Sequence, residues 1–326
     1  MAFRLKLVPS ETRIDFFRWQ FLTFGLSSVL MVGSIICLLV FGLNFGIDFR
    51  GGTTIRTEST QAVDVGAYRD ALQTLDLGDV AITQVFDPNF DADQHVAQVR
   101  ISAQDGAESV TPATINAVEA ALQQVDPDIT FPSVESVGPK VSGELIQTAI
   151  YAVLASLVAI SIYIWLRFEW QFAIGAIVSL AHDVLITMGV FALFQIKFDL
   201  TIIAALLTIV GYSINDTVVV FDRLRENLMK YKKKPLRELM NLSVNETLSR
   251  TVMTSGTTLV ALIALLVLGG DVIRGFVFAI TFGILIGTYS SVYVAKNFVL
   301  WLGVKRDWSK KDPKQDASPF SGAEAP

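Results

Sequence analysis

Charge is scarce in this chain. Only 17% of its 326 residues are Asp, Glu, Lys or Arg, against 52% hydrophobic, and the mean hydropathy is +0.50. Soluble domains carry nearer a quarter of charged residues, so this balance excludes an ordinary water-soluble globule and points to the bilayer. Cysteine is scarcer still. Cys37 is the only one and lies in an apolar run, which excludes an intramolecular disulfide. Two histidines, His95 and His182, and one cysteine leave no ligand set for a multidentate nitrogen and sulfur metal site. His95, among alternating strand residues, reads as an exposed sheet histidine. No Gly-Lys-Ser/Thr triplet occurs, which excludes nucleotide hydrolysis by a P-loop. No nucleic-acid partner and no metal are expected.

Long hydrophobic runs are what the chain does have. A helix crossing about 30 Å of hydrocarbon at about 1.5 Å per residue needs about 20 mostly apolar residues. Six runs qualify: Phe21 to Leu43, Leu145 to Leu166, Phe172 to Ile196, Leu200 to Phe221, Thr251 to Gly270 and Gly275 to Ala295. The first exceeds a signal-peptide core and leads into Asn44, Phe45 and Gly46 rather than a small-residue cleavage site, so it reads as a retained helix. Basic residues crowd one side. Arg4, Lys6, Arg13 and Arg18 precede the first run, seven lie between Arg223 and Arg237, and six between Lys296 and Lys314; the opposite short loops hold Lys197 and Arg274. The positive-inside rule then predicts a multi-pass inner-membrane protein with both termini and the segment 222–250 in the cytoplasm.

Residues 44–143 differ in composition, with fifteen acidic and five basic residues. Long acidic segments translocate readily, which predicts a periplasmic domain. Its pattern is strand from Gly52 to Glu58, helix from Asp64 (a plausible N-cap) to Leu75, and strand from Val80 to Phe86. A turn at Asp87-Pro88-Asn89 follows, then strand from His95 to Ile101, helix from Thr111-Pro112 to Gln124, and an extended run from Ile129 to Val137 in which Pro132 marks an edge. The order β-α-β-β-α-β is that of a ferredoxin-like split unit. The predicted fold class is therefore a polytopic α-helical membrane protein: six transmembrane helices plus one α+β ferredoxin-like periplasmic domain between helices 1 and 2. The predicted segments are 1–20 cytoplasmic, 21–43 first span, 44–143 periplasmic domain, 145–295 helices 2–6 with a basic cytoplasmic loop at 222–250, and 296–326 a disordered tail. The basic loop is predicted helical, with Leu224, Leu228, Leu236 and Leu239 on one face and its lysines at an anionic membrane surface. Gly283 and Gly287 in the last run permit close helix approach.

Two motifs stand out. Phe45-Gly46-Ile47-Asp48-Phe49-Arg50-Gly51-Gly52-Thr53 follows the first run; its glycines allow positive φ and Asp48 with Arg50 forms a candidate local pair. The second runs from Val210 to Asn227 and includes Gly211, Asn215, Asp216, Asp222 and Arg223. Ala181-His182-Asp183 and the run from Leu248 to Thr258 accompany it. The first motif is similar to the signature joining the first helix of SecD/SecF proteins to their periplasmic domain. The second resembles the fourth-helix motif of the SecF branch of that family. The resemblance extends from about Phe45 to Ala295. It implies membership of the resistance-nodulation-division superfamily and a heterodimer with a six-span SecD-like subunit. It further implies use of the proton-motive force to assist late stages of Sec-dependent translocation through the SecYEG channel. The implied partners are that subunit, SecYEG, translocating preproteins and YajC. The family uses no bound cofactor and couples to H+ flow; whether Na+ replaces H+ stays open.

Ionisable groups within a bilayer cost several kcal/mol and are functional candidates by default. Asp216 is the first candidate for proton uptake and release, with Arg250 or His182 tuning it; Asp183 and His182 are the second. The competing reading is that these groups hydrogen-bond helices together. Tyr212, Ser213, Asn215 and Thr217 extend a candidate path around Asp216. No enzyme is expected: Asp183 and Asp216 stand in His-Asp and Asn-Asp contexts, unlike the Tyr-Asp and Gly-x-Gly-Asp contexts of intramembrane aspartyl proteases. A passive scaffold whose proton chemistry lies in its partner is the main alternative, and a half-size lipid or drug exporter is disfavoured by the small periplasmic domain.

Overall fold

The computed structural model describes residues 12–87, 90–102 and 110–304. Arg4 and Lys6, the Pro88-Asn89 turn and the tail from 305 lie outside the described residues.

The first span, α1 (Gln20–Val40), buries only Ser27 and Ser34. Seven positions apart, these two serines share one face, and the large apolar residues Phe21, Leu22, Val29, Leu39 and Val40 are exposed. A strand of two residues, β1 (Asn44–Phe45), and one helical turn, α2 (Ile47–Arg50), lead into β2 (Gly52–Ser59). Gly51 and Gly52 take φ of +71° and +115°, values an L side chain rarely adopts. The domain continues with α3 (Val65–Gln73), β3 (Val80–Val85), β4 (His95–Ile101), α4 (Pro112–Val125) and β5 (Thr130–Val137).

Its sheet has the order β3-β4-β2-β5, antiparallel throughout. Each β-α-β connection therefore brackets one intervening strand, as a split unit requires. The caps are local. Asp64 accepts the N–H groups of Gly66 and Ala67, and Thr111 accepts that of Thr114 with Pro112 just inside the helix. β5 is an edge, and its register with β2 shifts across the stretch holding Pro132, where a missing N–H costs least. Ile55, Val99, Leu72 and Leu122 are buried between sheet and helices, each contributing about 2 kcal/mol.

Five further helices complete the bundle: α5 (Pro139–Arg167), α6 (Trp170–Leu193), α7 (Leu200–Lys230), α8 (Leu236–Leu268) and α9 (Asp271–Ser290). α9 passes through a π-helical turn (Ser291–Ala295) into α10 (Lys296–Leu302). A strand β6 (Lys197–Phe198) precedes α7 and pairs with β1 in parallel. Six helical segments are long and apolar enough to cross a membrane. α6, in the middle, is the most buried of them, and α5 the least.

Three expected boundaries are corrected. The segment 222–250 is not a loop with one surface helix but the ends of α7 and α8 joined by a short turn at 231–235. Its apolar face does not lie on lipid, because Leu224, Leu228, Leu239 and Met240 are buried among Phe172, Phe221 and Val299. The helix of the second span begins at Pro139, six residues before its expected start at Leu145, because α5 starts directly off β5. The tail expected from 296 is helical to Leu302, held by Ala295 and Val299 against Gly175 of α6. Lys296 is consequently interior rather than a surface charge. It is 1% exposed, donates to the Phe16 carbonyl at 3.2 Å, and lies 4.2 Å from the Phe17 ring centroid. Residues 12–17 are strapped to α8 by Asn241 and Asn245, whose side chains accept the N–H groups of Phe16 and Ile14.

Candidate functional site

Small residues bring α6, α7, α9 and α1 close enough for short hydroxyl side chains to meet. On α9, an added Cβ at Gly283 would run into Ile209 of α7, and one at Gly287 would stand 3.0 Å from Ser213 Cβ. The pair thus serves a contact inside this chain. Gly189 of α6 stands likewise against Ser34 of α1, with no room for a side chain.

Asp183 lies in this seam, about 20 Å along α6 from Trp170 and 1% exposed. Its Oδ2 accepts from Ser213 Oγ of α7 at 2.6 Å and from Ser290 Oγ of α9 at 2.8 Å. Its Oδ1 lies 2.9 Å from His182 Nδ1. Ser179, one turn earlier on α6, donates to Ser290 Oγ at 2.9 Å. A buried carboxylate is tolerable only when hydrogen-bonded, and here both oxygens are met from three helices. The Nδ1–H tautomer of His182 suits this arrangement. The ring is fully buried and stacks on Tyr289 with centroids 6.3 Å apart, and its Nε2 has no hydrogen-bond partner among the described residues. Tyr289 donates to the Thr23 carbonyl at 2.7 Å and meets Ser27 Oγ at 3.1 Å, which anchors α1.

Asp216 is different. It is 3% exposed, yet its one described hydrogen bond is from Ser255 Oγ of α8 at 3.4 Å, near the limit for such a bond. Ser255 shares a 2.8 Å bond with Thr288 Oγ1 of α9. Arg250, exposed on α8, lies within coulombic reach of Asp216, but the two form no ion pair among the described residues. Of the two groups expected to tune Asp216, Arg250 is near it and His182 is not; His182 belongs to Asp183.

The candidate path around Asp216 splits. Ser213 reaches Asp183, Tyr212 OH meets Thr258 Oγ1 at 3.3 Å, and Thr217 is buried with its hydroxyl unpartnered among the described residues. Asn215 and Gly211 face outward, and no described hydrogen bond involves the Asn215 side chain. Ser179, Ser290 and Thr288 were not among the sequence candidates. Their only signal was hydroxyl residues in otherwise apolar spans, which is weak because such residues also bond their own helix.

The motif residues are scattered rather than gathered. Gly46 donates its N–H to the Phe198 carbonyl at 2.8 Å, and a Cβ there would stand 3.1 Å from Lys197 Cε. Asp48 does not pair with Arg50, which is exposed; it accepts the Leu200 N–H. A Cβ on Gly51 would press on Ser142 and Pro139 of α5. At the other end of α7, Asp222 accepts from Arg167 at 2.7 Å, and Arg223 donates to Glu246 at 2.7 Å and Glu226 at 2.6 Å. Among the described residues no cluster of three His, Cys, Asp or Glu could hold a metal.

Comparison with known proteins places this architecture. Residues 117–305 match the family described as protein export membrane protein SecD/SecF, C-terminal, and residues 38–63 match the SecD/SecF GG motif. The chain is 72% identical to the protein translocase subunit SecF of Cereibacter sphaeroides, over 96% of this chain and 97% of that one. It is 65% identical to the subunit of Rhodobacter capsulatus (96% of each) and 41% identical to that of Vibrio alginolyticus (93% and 94%). Among solved structures, SecDF from Thermus thermophilus, a translocon-associated membrane protein, aligns with a TM-score of 0.81 at 37% identity. The alignment covers 90% of this chain and 39% of the longer SecDF chain. SecDF in a super-membrane-facing form aligns at 0.65 with 38% identity and the same coverage. A glycine motif docked on the fourth span, a split α+β domain after the first, and matches along nearly the whole length together show that the chain belongs to the SecF family of protein translocase subunits.

Proposed function

We propose that this chain is one half of a proton-driven pair that assists late stages of Sec-dependent protein export across the inner membrane. In this reading both termini are cytoplasmic, the α+β domain is periplasmic, and the partner is a six-span SecD-like subunit. The solved SecDF chain is long enough to hold such a second half. The observation that carries the reading is Asp216: a carboxyl group 3% exposed, with one long hydrogen bond and a guanidinium near but not paired.

A buried charge must be paired or neutralised. Arg250 stays charged at any biological pH. When α8 brings its guanidinium onto Asp216, the carboxylate is compensated; when α8 draws away, proton uptake removes the unpaired charge. Protonation is thereby coupled to helix position. A proton crossing 100 mV releases about 2.3 kcal/mol, the order of the difference between a paired and an unpaired buried charge. The two SecDF forms align with this chain at equal coverage but with TM-scores of 0.81 and 0.65, which fits a family with more than one arrangement. Asp183, met on both oxygens, holds its helices together in the arrangement described.

The test is export at fixed proton-motive force by membranes carrying Asp216→Asn, which keeps shape and hydrogen bonding but cannot titrate. Loss of proton-dependent export with normal assembly is expected. Wild-type export would instead support a passive scaffold whose proton chemistry lies in the partner.

A further inference from the structure

Between the two buried carboxylates stands a single turn of α9. Gly287 leaves room for Ser213 and lies close to Asp183 Oδ2, Thr288 meets Ser255, and Ser290 meets Asp183. Followed round, four hydrogen bonds and two short backbone steps, one along α7 and one along α9, join four helices in a ring. Asp183 of α6 accepts from Ser213 of α7. Asp216 lies three residues further along the same face of α7, and accepts from Ser255 of α8. Ser255 bonds Thr288 of α9, and Ser290, two residues on and turned to another side of that helix, bonds Asp183, so the step between Thr288 and Ser290 is the α9 backbone itself. The turn ends where the π-helical segment begins, a local widening that often marks functional sites.

The hydroxyl count at Ser290 makes the ring directional. Ser290 has one proton and accepts from Ser179, so it donates either to Asp183 Oδ2 at 2.8 Å or to the Gly287 carbonyl at 3.1 Å. With Asp183 charged, Ser179, Ser290 and Ser213 all point their protons toward it. With Asp183 protonated, its own O–H needs an acceptor, and Ser290 can supply one by turning its proton to Gly287. We propose that Ser290 and Thr288 are positioning residues that tie Asp183 to Asp216, Ser290 by holding the Asp183 charge and Thr288 by carrying the link through Ser255. Its use in transport rests on the proton-coupling reading; the link itself rests on the ring of contacts. The titratable groups facing the ring are His182 on α6, Tyr289 on α9, Tyr212 and Asp216 on α7, and Arg250 on α8; α1 offers only Ser27 and Ser34 to the interior.

The test is pH-difference infrared spectroscopy on the assembled full-length complex in lipid nanodiscs. The protonated-carboxyl bands are assigned by their loss in Asp183→Asn and Asp216→Asn. In Ser290→Ala the Asp183 band should move in frequency from that of the parent, because the carboxyl group loses one of its hydrogen-bond partners. Ser290→Thr should restore it. Ser291→Ala, a buried neighbour that donates to the Thr288 carbonyl, should leave it unmoved. Asp216→Asn should shift the Asp183 band in the parent but not in a Thr288→Val background. The proposal is overturned by an unmoved Asp183 band in Ser290→Ala, by an equal shift in Ser291→Ala, or by no Asp183 band in either parent or Ser290→Ala across the accessible pH range. A coupling that survives Thr288→Val overturns the Thr288 link. If Ser290→Ala does not assemble, Ser290→Cys, of similar size and a weak donor, carries the same expectation. Export assayed on these variants separates the two ideas: normal export in Asp216→Asn would sink the proton-coupling reading and leave the infrared link standing.

Discussion

Asp48 Oδ2 accepts the backbone N–H of Leu200 at 3.0 Å, so the fourth span starts on a cap supplied from 152 positions earlier in the chain. Asp199 accepts the next two N–H groups, of Thr201 at 3.1 Å and Ile202 at 3.3 Å. Two carboxylates therefore meet the unsatisfied donors and the positive end of α7. The glycine motif thus seats the entry to the α+β domain on the helix that carries Asp216.

Asp48→Ala should lower stability by about 1 kcal/mol, the usual cost of losing a helix cap. Asp48→Asn keeps an accepting oxygen and should retain most of it. The midpoint of thermal unfolding in detergent reads the difference. Equal midpoints for the parent and Asp48→Ala would show that the contact contributes nothing.

Tyr68 is buried in the domain core, and that burial, with Asp126 nearby, pushes its phenol up to about 12 from an ordinary 10.0. The folded domain keeps the proton through the window in which the unfolded chain gives it up. Stability should therefore fall as pH rises from about 10 to about 12, by up to about 2 kcal/mol. The segment 51–137 contains all four strands, both helices and Tyr68 as its only tyrosine. Denaturant unfolding of that segment should lose stability over this range, and Tyr68→Phe should lose markedly less. An identical alkaline loss in Tyr68→Phe would assign it elsewhere.

Orientation is open to direct labelling. Asp91 and Lys232 are both exposed, one in the domain and one in the turn between α7 and α8. With Cys37 replaced by serine, a cysteine at Asp91 should react with an impermeant maleimide in spheroplasts, and one at Lys232 only after permeabilisation. Reaction at Lys232 in intact spheroplasts would invert the proposed topology.

Hydropathy located all six spans because a bilayer-length apolar run is a local property. It misplaced their ends because helices α5, α7 and α8 continue beyond the hydrocarbon, where packing rather than hydropathy sustains them. The cap at Asp64 was legible for the same reason, since donor and acceptor lie within three residues, and the helix start at Thr111-Pro112 was legible from its proline. Asp48 was legible as part of a motif and illegible as a cap, since its partner is on another helix.

The ionisable residues of the spans could be named from the sequence alone, because each is costly in lipid. Their division of labour could not. Only the tertiary structure places two serine hydroxyls and an imidazole on Asp183, leaves Asp216 with one long contact, turns Asn215 outward and buries Lys296 among aromatic rings. The sequence by itself determined which groups must be buried or lose their charge. What each one faces depends on how closely glycines such as Gly189, Gly283 and Gly287 let neighbouring helices approach, and on the rotation of each helix about its axis, neither of which is a local property of the chain.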